Sequence, residues 1–510
     1  MILFFCESYA CDVSIKFKNL PEDDNLNQPK FYYKISFTPL EKPRLPVRSQ
    51  ISNRVKKHGV KLKILTLFHT GQMPCVNASN GVYLFNQEII LPEPMLIENF
   101  ITSFARKENA RYLRFSPAAS LTIPPKKAAI STLLYLHVPF CEELCPYCSF
   151  HREVLQEPLA RDYFAALRKE IVLYKNLGYD FKAVYVGGGT PTVLIDELTH
   201  TLELIKKTYS TTEISVETNP NHLTRENIQI LKEIGVNRLS VGVQSFDDGL
   251  LKAMERYHKY GSGQEIVEKL KHAQGNFNTL NVDMIFNFPP QTPAILEKDL
   301  ETILALAVDQ VTYYPLMVSS STQGLIKKKL GVVKYEREKK FYQIITSLLS
   351  PHYRPATAWC FSRSEAMIDE YVVNFEEYAG IGSGAIGYLG GSAYANTFDI
   401  KEYIRIVNEG KLPITAKKDF SIKEKARYDF LMKLFGLRLD LQALKTKVGE
   451  NIYRYLWSEI LFFRIAGGLK KQGNSLLLTR KGQYYWVIMM REFFIGVNNF
   501  RDYCREKLNV

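Results

Sequence analysis

From residue 132 onwards, short runs rich in β-branched and aromatic residues alternate with longer segments of helical periodicity. Six of these runs are strand candidates, at residues 133–137, 183–186, 213–217, 238–243, 280–286 and 310–314. After the first run, Leu159, Tyr163, Leu167 and Ile171 recur every four residues and mark one apolar helix face. The alternation is typical of βα units on a parallel sheet. It predicts an α/β fold, either a partial (βα)6 barrel or an open doubly wound sheet, with ligands at the carboxyl ends of the strands.

The length of the chain and the changes in sequence pattern along it predict several domains. A chain of 510 residues is long enough for about two to four of them. Residues 1–115 contain strand-like runs but no chemical motif, and residues 116–131, with three prolines, are typical of a linker. From about residue 419 the pattern turns helical. We predict an N-terminal accessory region at 1–115, a linker at 116–131, a core at 132–390 and a basic, mainly helical C-terminal domain at 391–510.

The positive charge is concentrated towards the C-terminal end. The chain carries 66 Lys and Arg against 53 Asp and Glu, a formal charge of +13. Residues 401–510 alone hold 22 basic and 11 acidic residues, a net charge of +11. Such a region can serve an anionic ligand, a nucleic acid or an acidic partner. Because it carries no recognisable nucleic-acid motif, a solvated basic face is favoured over nucleic-acid binding.

The apolar runs and the cysteine content indicate a cytoplasmic protein. No apolar run approaches the roughly 18 residues of a membrane span. The apolar start at residues 1–6 has no basic region before it and is followed by Glu7, so no secretory signal is expected. Eight cysteines in 510 residues are too few for a disulfide scaffold.

The first strand candidate leads directly into a cysteine motif, HVPFCEELCPYC at residues 137–148. Its thiols, Cys141, Cys145 and Cys148, have the spacing C-x3-C-x2-C on one loop and can converge on a metal centre. A [4Fe-4S] cluster prefers thiolate ligands, and three ligands for four irons leave one iron open to a small chelating molecule. The alternative is a zinc site with His137 or His151 as the fourth ligand.

This spacing, with Tyr147 before the third cysteine, is similar to the signature of radical S-adenosylmethionine (SAM) enzymes. The surrounding segments resemble the oxygen-independent coproporphyrinogen III oxidase family, which also contains heme chaperones and radical methyltransferases. The matching segments are YLHVPFC at 135–141, GGGTP at 187–191, ETNP at 217–220, RLSVGVQSF at 238–246, RxH at 256–258 and DMIF at 283–286. The resemblance extends from about residue 132 to residue 390.

The resemblance implies a set of cofactor ligands. Cys141, Cys145 and Cys148 would hold a [4Fe-4S] cluster and be indispensable for catalysis, with one SAM at the open iron and a second SAM as an open alternative. In the glycine turn, exposed backbone amides can bind a carboxylate, which fits the SAM amino and carboxylate ends. The SAM contacts implied by the resemblance are Tyr135, Tyr147, Gly188, Gly189, Thr190, Glu217, Gln244, Arg256, Asp283 and Ile386. Among them, Gln244, Arg256 and Asp283 match positions that contact a second SAM.

The resemblance also implies a reaction. One electron, from reduced flavodoxin or ferredoxin, enters the cluster and cleaves SAM to methionine and a 5′-deoxyadenosyl radical. The expected substrate is tetrapyrrole-like, and oxidative decarboxylation of coproporphyrinogen III is the favoured reaction. The alternatives are radical methyl transfer with a second SAM, heme trafficking by a chaperone, and a cluster-binding interaction protein that has lost catalysis.

Two departures from the family pattern bear on this choice. Ser149 and Phe150 follow the third cysteine, where the oxidases carry a further cysteine two residues on. Residues 371–378 lack the His and Trp of the HNxxYW motif that the chaperones carry before the glycine segment. The first departure counts against the oxidase, and the second counts against a heme ligand in this region.

Overall fold

The computed structural model describes residues 11–18, 32–39, 94–117, 132–365 and 371–507. The chain forms two compact units, Met1–Pro92 and Glu93–Val510. In the first unit, strands β1 (Cys11–Lys18) and β2 (Tyr32–Pro39) pair antiparallel. Most of the linker predicted at 116–131 lies outside the described residues, and the accessory region predicted at 1–115 is described only in part.

The second unit begins with helix α1 (Pro94–Tyr112) and the short strand β3 (Ser116–Pro117). The strands that follow are β4 (Thr132–Val138), β5 (Phe140–Cys141), β6 (Glu153–Val154), β7 (Ala183–Gly188), β8 (Glu213–Thr218), β9 (Arg238–Gln244), β10 (Thr279–Phe286), β11 (Gln310–Pro315), β12 (Arg354–Pro355), β13 (Cys360–Ser362), β14 (Glu377–Ile381), β15 (Ile386–Leu389), β16 (Ser392–Asn396), β17 (Ile414–Asp419), β18 (Arg438–Asp440), β19 (Leu469–Gln472) and β20 (Ser475–Leu478). The helices that follow are α2 (Glu157–Asn176), α3 (Ile195–Thr208), α4 (Arg225–Glu233), α5 (Asp248–Ala253), α6 (Tyr257–Tyr260), α7 (Gly263–Ala273), α8 (Pro293–Leu306), α9 (Gln323–Lys329), α10 (Glu338–Leu349), α11 (Tyr371–Asn374), α12 (Ile400–Asn408), α13 (Ile422–Phe435), α14 (Leu441–Val448), α15 (Ile452–Ile465) and α16 (Arg480–Lys507).

Six parallel strands form the centre of the main sheet. They are neighbours in the order β4, β7, β8, β9, β10, β11, and each is parallel to the next. They coincide with the six strand candidates of the sequence, and each connection between them contains at least one helix. The prediction of an α/β fold built from βα units is therefore confirmed.

Further strands extend this parallel arc at both of its edges. Beyond β4, the sheet continues through a parallel β14 and then through antiparallel β15, β16, β17 and β3. Beyond β11, it continues through antiparallel β13 and β12. In the described part of the chain, β12 and β3 are the edges of this sheet, so the parallel strands form an open arc rather than a closed barrel.

Helix α2 shows how the sequence pattern builds the core. Tyr163, Leu167 and Ile171 are fully buried in the main apolar cluster, and Leu159 packs against it. The predicted apolar face of this helix is thus the buried one. The Tyr163 hydroxyl also donates a hydrogen bond to the carbonyl oxygen of His137 at 2.6 Å. This bond joins the helix to the end of β4, directly before the cysteine motif.

The C-terminal region, from α12 to α16, is mainly helical, with strand β17 of the main sheet and a small antiparallel sheet of β18, β20 and β19. Its last helix, α16, is 28 residues long and contacts α1. Arg106 of α1 donates to the Glu492 carboxylate at 2.6 Å, and Asn109 Nδ2 donates to the Glu492 carbonyl oxygen at 2.8 Å. Helix α1 therefore lies in the same unit as the main sheet. None of the described helices is both long and apolar enough to cross a membrane.

A buried ion-pair network docks α16 on α10. Arg491 contacts Glu338 and lies 2.8 Å from Glu492, and all three side chains are at most 3% exposed. Replacing Arg491 with Leu leaves the buried Glu338 carboxylate without its cation, whereas Glu492 keeps Arg106. We therefore expect the free energy of unfolding to fall by about 3 to 5 kcal/mol. Urea-induced unfolding checks this. Arg405→Leu, which removes an exposed arginine that also pairs with two carboxylates, should cost less than about 1 kcal/mol; equal losses in both variants would contradict the prediction.

Candidate active site

The cysteine motif forms a closed loop after β4. Cys141 ends β5, which pairs in parallel with β6, and the Leu155 amide donates to the Cys141 carbonyl oxygen at 2.8 Å. Within the loop, Arg152 Nη2 donates to the carbonyl oxygens of Cys145 at 2.7 Å and Cys148 at 2.5 Å. All three cysteines are free thiols. The loop thus presents them at the carboxyl end of the sheet, where ligands are expected.

The donor set of this loop fits a [4Fe-4S] cluster better than a single zinc ion. His137 Nδ1 lies 2.9 Å from the Tyr135 hydroxyl and Nε2 lies 2.8 Å from the His151 carbonyl oxygen, so both ring nitrogens are engaged. Among the residues that the structure describes, no three His, Cys, Asp or Glu side chains are arranged to hold one metal ion. In a [4Fe-4S] cluster, each of the three thiolates binds a different iron, so the three sulfurs need not meet at one ion.

Two buried histidines orient the groups around the loop. Burial lowers the pKa of His137 to about 4 and the pKa of His151 well below its ordinary value, so both rings are neutral. Because the His151 carbonyl oxygen can only accept, His137 carries its proton on Nε2, and the Tyr135 hydroxyl donates to Nδ1. His151 Nε2 in turn lies 3.1 Å from Ser383 Oγ. From the sequence, we expected these histidines only as alternative zinc ligands. The position of His137, four residues before Cys141, could have indicated that it lies beside the cysteine loop.

The glycine turn at 187–190 holds the cysteine loop in place. The amides of Gly189 and Thr190 donate to the carbonyl oxygens of Val138 and Phe140, both at 2.7 Å. A Cβ atom at Gly189 would lie 2.6 Å from the Phe140 carbonyl oxygen, so only glycine permits this approach. These two amides, and that of Gly188, are therefore already engaged, contrary to the expectation that they are exposed for a carboxylate. Contacts of Gly188, Gly189 and Thr190 with SAM stay a prediction.

Glu217 lies one residue before the end of β8, beside this turn. Its carboxylate accepts hydrogen bonds from the Tyr185 hydroxyl at 2.8 Å and from the Gly188 amide at 3.1 Å. Burial, and to a smaller extent the charge of Glu217, raise the pKa of Tyr135. Tyr135 on β4 and Glu217 on β8 lie on either side of β7. Tyr185 of β7 connects them, because its ring lies 6.1 Å from that of Tyr135 and its hydroxyl donates to Glu217.

Arg256 lies against the cysteine loop. Its guanidinium is buried, with Nη1 3.5 Å from the Cys145 sulfur and 3.1 Å from the Tyr147 hydroxyl. It also donates to the Gly242 carbonyl oxygen and stacks 4.3 Å above the Tyr260 ring. The structure therefore joins two predicted SAM contacts, Arg256 and Tyr147, to one of the cluster ligands, a connection that the sequence did not predict.

Gln244 and Asp283 lie on adjacent strands at an irregularity of the sheet. The register of β9 against β10 shifts between Asp283 and Met284, and Gln244 adopts a positive φ of 77° there. Such bulges re-aim side chains and are common beside active sites. The Asp283 carboxylate accepts hydrogen bonds from Ser240 and from Asn281 Nδ2, both at 2.8 Å. A second SAM at these residues stays a prediction.

The loop that precedes Ile386 is anchored by a buried carboxyl group. Glu170 of α2 accepts hydrogen bonds from the Gly382 amide at 2.8 Å and from the Tyr403 hydroxyl at 2.6 Å. Burial raises the pKa of Glu170 to about 7, against the opposing effect of these bonds. Gly382 has a φ of +94°, and a Cβ there would lie 2.5 Å from the His137 carbonyl oxygen. The loop therefore packs directly on the end of β4, which the sequence did not reveal.

An aromatic cavity of about 290 Å³ opens beside these groups. Three predicted SAM contacts, Tyr135, Glu217 and Ile386, belong to its wall. The opposite part of the wall comes from α1, α13, α15 and α16, with the aromatic side chains of Phe104, Tyr112, Tyr428, Phe430, Phe463, Phe493 and Phe494. A ligand that fills the cavity would thus touch both the parallel strand ends and the helices outside the arc.

Comparison with known proteins identifies the family. Residues 135–303 match the family model described as the Radical SAM superfamily. The heme chaperone HemW of Bacillus subtilis is 30% identical over 368 residues, which cover 68% of this chain and 95% of that protein. HemW of Lactococcus lactis is 32% identical and covers 74% of this chain, with 98% of that protein matched. The chain belongs to the radical SAM superfamily. Within it, the chain is a member of the oxygen-independent coproporphyrinogen III oxidase family, as its motifs predict.

Other relatives of this chain are named as coproporphyrinogen III oxidases. The oxygen-independent coproporphyrinogen III oxidase of Helicobacter pylori is 29% identical, covering 71% of this chain and 85% of that protein. The solved structure of the Escherichia coli coproporphyrinogen III oxidase HemN has a TM-score of 0.61 at 22% identity and covers 71% of this chain and 90% of that chain. This likeness confirms the radical SAM fold. The cofactors of the family are a [4Fe-4S] cluster and SAM, as predicted. The assignment of Cys141, Cys145 and Cys148 as the cluster ligands stays a prediction.

Arg256 provides a test of the cluster environment. A hydrogen bond to a ligand sulfur stabilises the more negative, reduced cluster. In Arg256→Gln the bond to Cys145 is lost, so the reduction potential of the reconstituted cluster should become more negative by about 60 mV, the equivalent of about 1.4 kcal/mol for one electron. Potentiometry followed by electron paramagnetic resonance measures this. The exposed Arg161→Gln variant is the control, and an unchanged potential in Arg256→Gln would contradict the assignment.

Glu170 provides a test by pH. Because its folded pKa of about 7 lies above the unfolded value of about 4.3, its contribution to stability is complete below the unfolded pKa and is lost as pH rises through about 7. Glu170→Gln removes this titration. From about pH 4 to pH 8, the wild type should lose about 3 kcal/mol of unfolding free energy relative to the variant, measured by urea unfolding. Glu157→Gln, on the exposed first turn of the same helix, should behave as wild type; parallel pH profiles for wild type and Glu170→Gln would refute the anchoring role.

Proposed function

We propose that this chain is a radical SAM oxidoreductase that abstracts a hydrogen atom from a tetrapyrrole-like substrate. The observation that carries the proposal is the position of Tyr135, Glu217 and Ile386 in the wall of the aromatic cavity. When bound, the [4Fe-4S] cluster and SAM supply a 5′-deoxyadenosyl radical after one-electron reduction. The residues of the chain hold the substrate against that side of the cavity and exclude water and oxygen.

The composition of the cavity wall supports a conjugated ligand. Many of its side chains are aromatic, among them Tyr378, Tyr388 and Phe493. Aromatic rings make offset-stacked and edge-to-face contacts with other π systems. The relatives HemW and the coproporphyrinogen III oxidases are named for two tetrapyrroles, a heme and a porphyrinogen. A substrate of the same class suits this wall.

Oxidative decarboxylation of coproporphyrinogen III is the first reaction to test. Two relatives from Helicobacter pylori, 29% and 28% identical, carry the name of that activity. Phe150 stands where the oxidases carry an additional cysteine, and it belongs to the cavity wall here. This position therefore contributes apolar packing to the cavity rather than a thiol.

Heme trafficking is the second candidate function. It is favoured by the HemW relatives, which are 30% and 32% identical. The absence of the HNxxYW motif from residues 371–378 counts against a heme ligand at that place. Radical methyl transfer is the third candidate and would require a second SAM near Gln244, Arg256 and Asp283.

Anaerobic reconstitution separates these functions. The cluster is rebuilt with iron and sulfide, and SAM, reduced flavodoxin and a tetrapyrrole are added. We expect 5′-deoxyadenosine whose yield depends on the tetrapyrrole. A decarboxylated porphyrinogen would identify the oxidase, S-adenosylhomocysteine the methyltransferase, and tight heme binding without turnover the chaperone. Wild-type protein that forms no 5′-deoxyadenosine under any of these conditions would refute the proposed function.

Cys145→Ala tests the cluster ligand directly. Loss of one thiolate removes the protein ligand of one iron, so SAM cleavage should fall at least about 100-fold. Cys360→Ala, which changes a buried cysteine outside the loop, is the matched control and should retain activity. Cleavage by Cys145→Ala at the wild-type rate would overturn the ligand assignment.

A further inference from the structure

The charges in the cavity wall are few and nearly balanced. Among the residues that line it, the carboxylates are those of Glu108, Glu217 and Glu459, and the cations are those of Arg427 and Arg501. Glu217 is occupied by Tyr185 and Gly188 at the predicted SAM side. The described wall therefore carries one more negative than positive charge.

Arg427 is already neutralised by two carboxylates of the wall. Its Nη1 lies 3.1 Å from Glu108 and its Nη2 lies 2.6 Å from Glu459, and all three side chains are at most 17% exposed. Burial acts to lower the pKa of Arg427, but Glu459, Tyr112 and Glu108 together more than offset this, so its pKa is raised. We call Glu108, Arg427 and Glu459 the acidic triad, because together they carry one net negative charge.

The second cation of the wall is Arg501 of α16. Its Nη1 donates to Asn498 Oδ1 at 2.8 Å, and its guanidinium stacks 5.1 Å from the Phe150 ring. If Arg501 binds one substrate carboxylate, the other arginine of the wall, Arg427, already pairs with Glu108 and Glu459 and attracts a second carboxylate only weakly. The cavity therefore suits a ligand that buries at most one carboxylate.

The excess positive charge of the C-terminal domain does not converge on the cavity. Of the described basic residues between 401 and 507, Arg427 and Arg501 belong to the cavity wall. Others, such as Arg405, Lys411 and Lys445, pair with exposed carboxylates outside it. The net charge of +11 that the sequence assigns to residues 401–510 is therefore no argument for a polyanionic substrate.

We propose that the acidic triad is a specificity-determining element that rejects polycarboxylate tetrapyrroles, so that the substrate enters with a carboxylate-free, apolar edge. A carboxylate buried beside Glu108 and Glu459 would lose its hydration and meet like charges, whereas an apolar edge would pack on the aromatic wall. This inference rests on the proposed hydrogen abstraction from a tetrapyrrole-like substrate and narrows that substrate. Among the candidate reactions, it argues against decarboxylation of coproporphyrinogen III. Coproporphyrinogen carries a carboxylate on each pyrrole ring, whereas tetrapyrroles of the protoporphyrin type carry carboxylates on two neighbouring rings and leave the opposite edge apolar.

Porphyrin binding to the purified full-length protein tests the selection. Quenching of porphyrin fluorescence measures the dissociation constants of protoporphyrin IX and coproporphyrin III, with no need for the cluster. We expect wild-type protein to bind protoporphyrin IX at least about tenfold more tightly. In Glu108→Gln/Glu459→Gln, the affinity for coproporphyrin III should rise while the affinity for protoporphyrin IX changes little. The ratio of the coproporphyrin III to the protoporphyrin IX dissociation constant should therefore fall below about threefold.

A matched pair of glutamates provides the control. Glu402 and Glu409 flank Arg405 on an exposed surface of α12 as Glu108 and Glu459 flank Arg427, and Glu402→Gln/Glu409→Gln should keep the wild-type ratio. This comparison separates the acidic triad from the greater hydrophobicity of protoporphyrin, which is the same in every variant. If the double variant does not fold by circular dichroism, the single variant Glu108→Gln should show the same change to a smaller extent.

The outcomes are distinguishable from a failure of the proposed function. Equal affinities in wild-type protein, an unchanged ratio in the folded triad variants, or binding of neither porphyrin would overturn the selection. Selective binding without 5′-deoxyadenosine formation would refute the oxidoreductase and leave the selection standing. Tetrapyrrole-dependent formation of 5′-deoxyadenosine together with equal porphyrin affinities would refute the selection and leave the oxidoreductase standing.

Discussion

Two backbone hydrogen bonds between strand ends hold the site in its arrangement. The amides of Gly189 and Thr190 donate to the carbonyl oxygens of Val138 and Phe140 at 2.7 Å, at an approach that leaves no room for a side chain at residue 189. Because these bonds join the turn after β7 to the segment that enters the cysteine loop, they place Cys141 beside this turn. Thr190 Oγ1 then lies 3.6 Å from the Cys141 sulfur. A single side chain at this turn would separate the cluster ligands from the groups predicted to hold SAM.

Behind this contact lies a layer of buried polar groups that connects the cysteine loop to the loop before Ile386. The Tyr163 hydroxyl donates to the His137 carbonyl oxygen and accepts from the Ser383 amide, and Glu170 accepts from the Gly382 amide. Buried polar networks of this kind are costly when any member lacks its partner and rigid when all are satisfied. The layer therefore keeps the two loops at one separation, which a radical reaction needs because its reacting atoms must be positioned closely.

The sequence allowed prediction of those features that depend on local pattern. Buried parallel strands are continuous apolar runs, so all six were found, and the cysteine spacing is contained within eight residues. Partners that come from distant segments were not predictable. Arg256, 111 residues from Cys145 along the chain, appeared as a SAM contact without its bond to the cluster ligand. The glycine amides appeared exposed, because no local pattern indicates that carbonyl groups of another strand occupy them.

The same distinction explains why membership of the family does not by itself determine the substrate. Under the proposed function, electron entry and SAM cleavage would depend on the cysteine loop and the strand ends, which lie within the segment that matches the radical SAM model at 135–303. The acidic triad and Arg501 lie outside that segment, on α1, α13, α15 and α16. Relatives that share the arc can therefore carry different names, as HemW and the coproporphyrinogen III oxidases do. Under the proposed function, the choice of substrate in this chain would depend on the helices that complete the cavity, since these supply most of its charge.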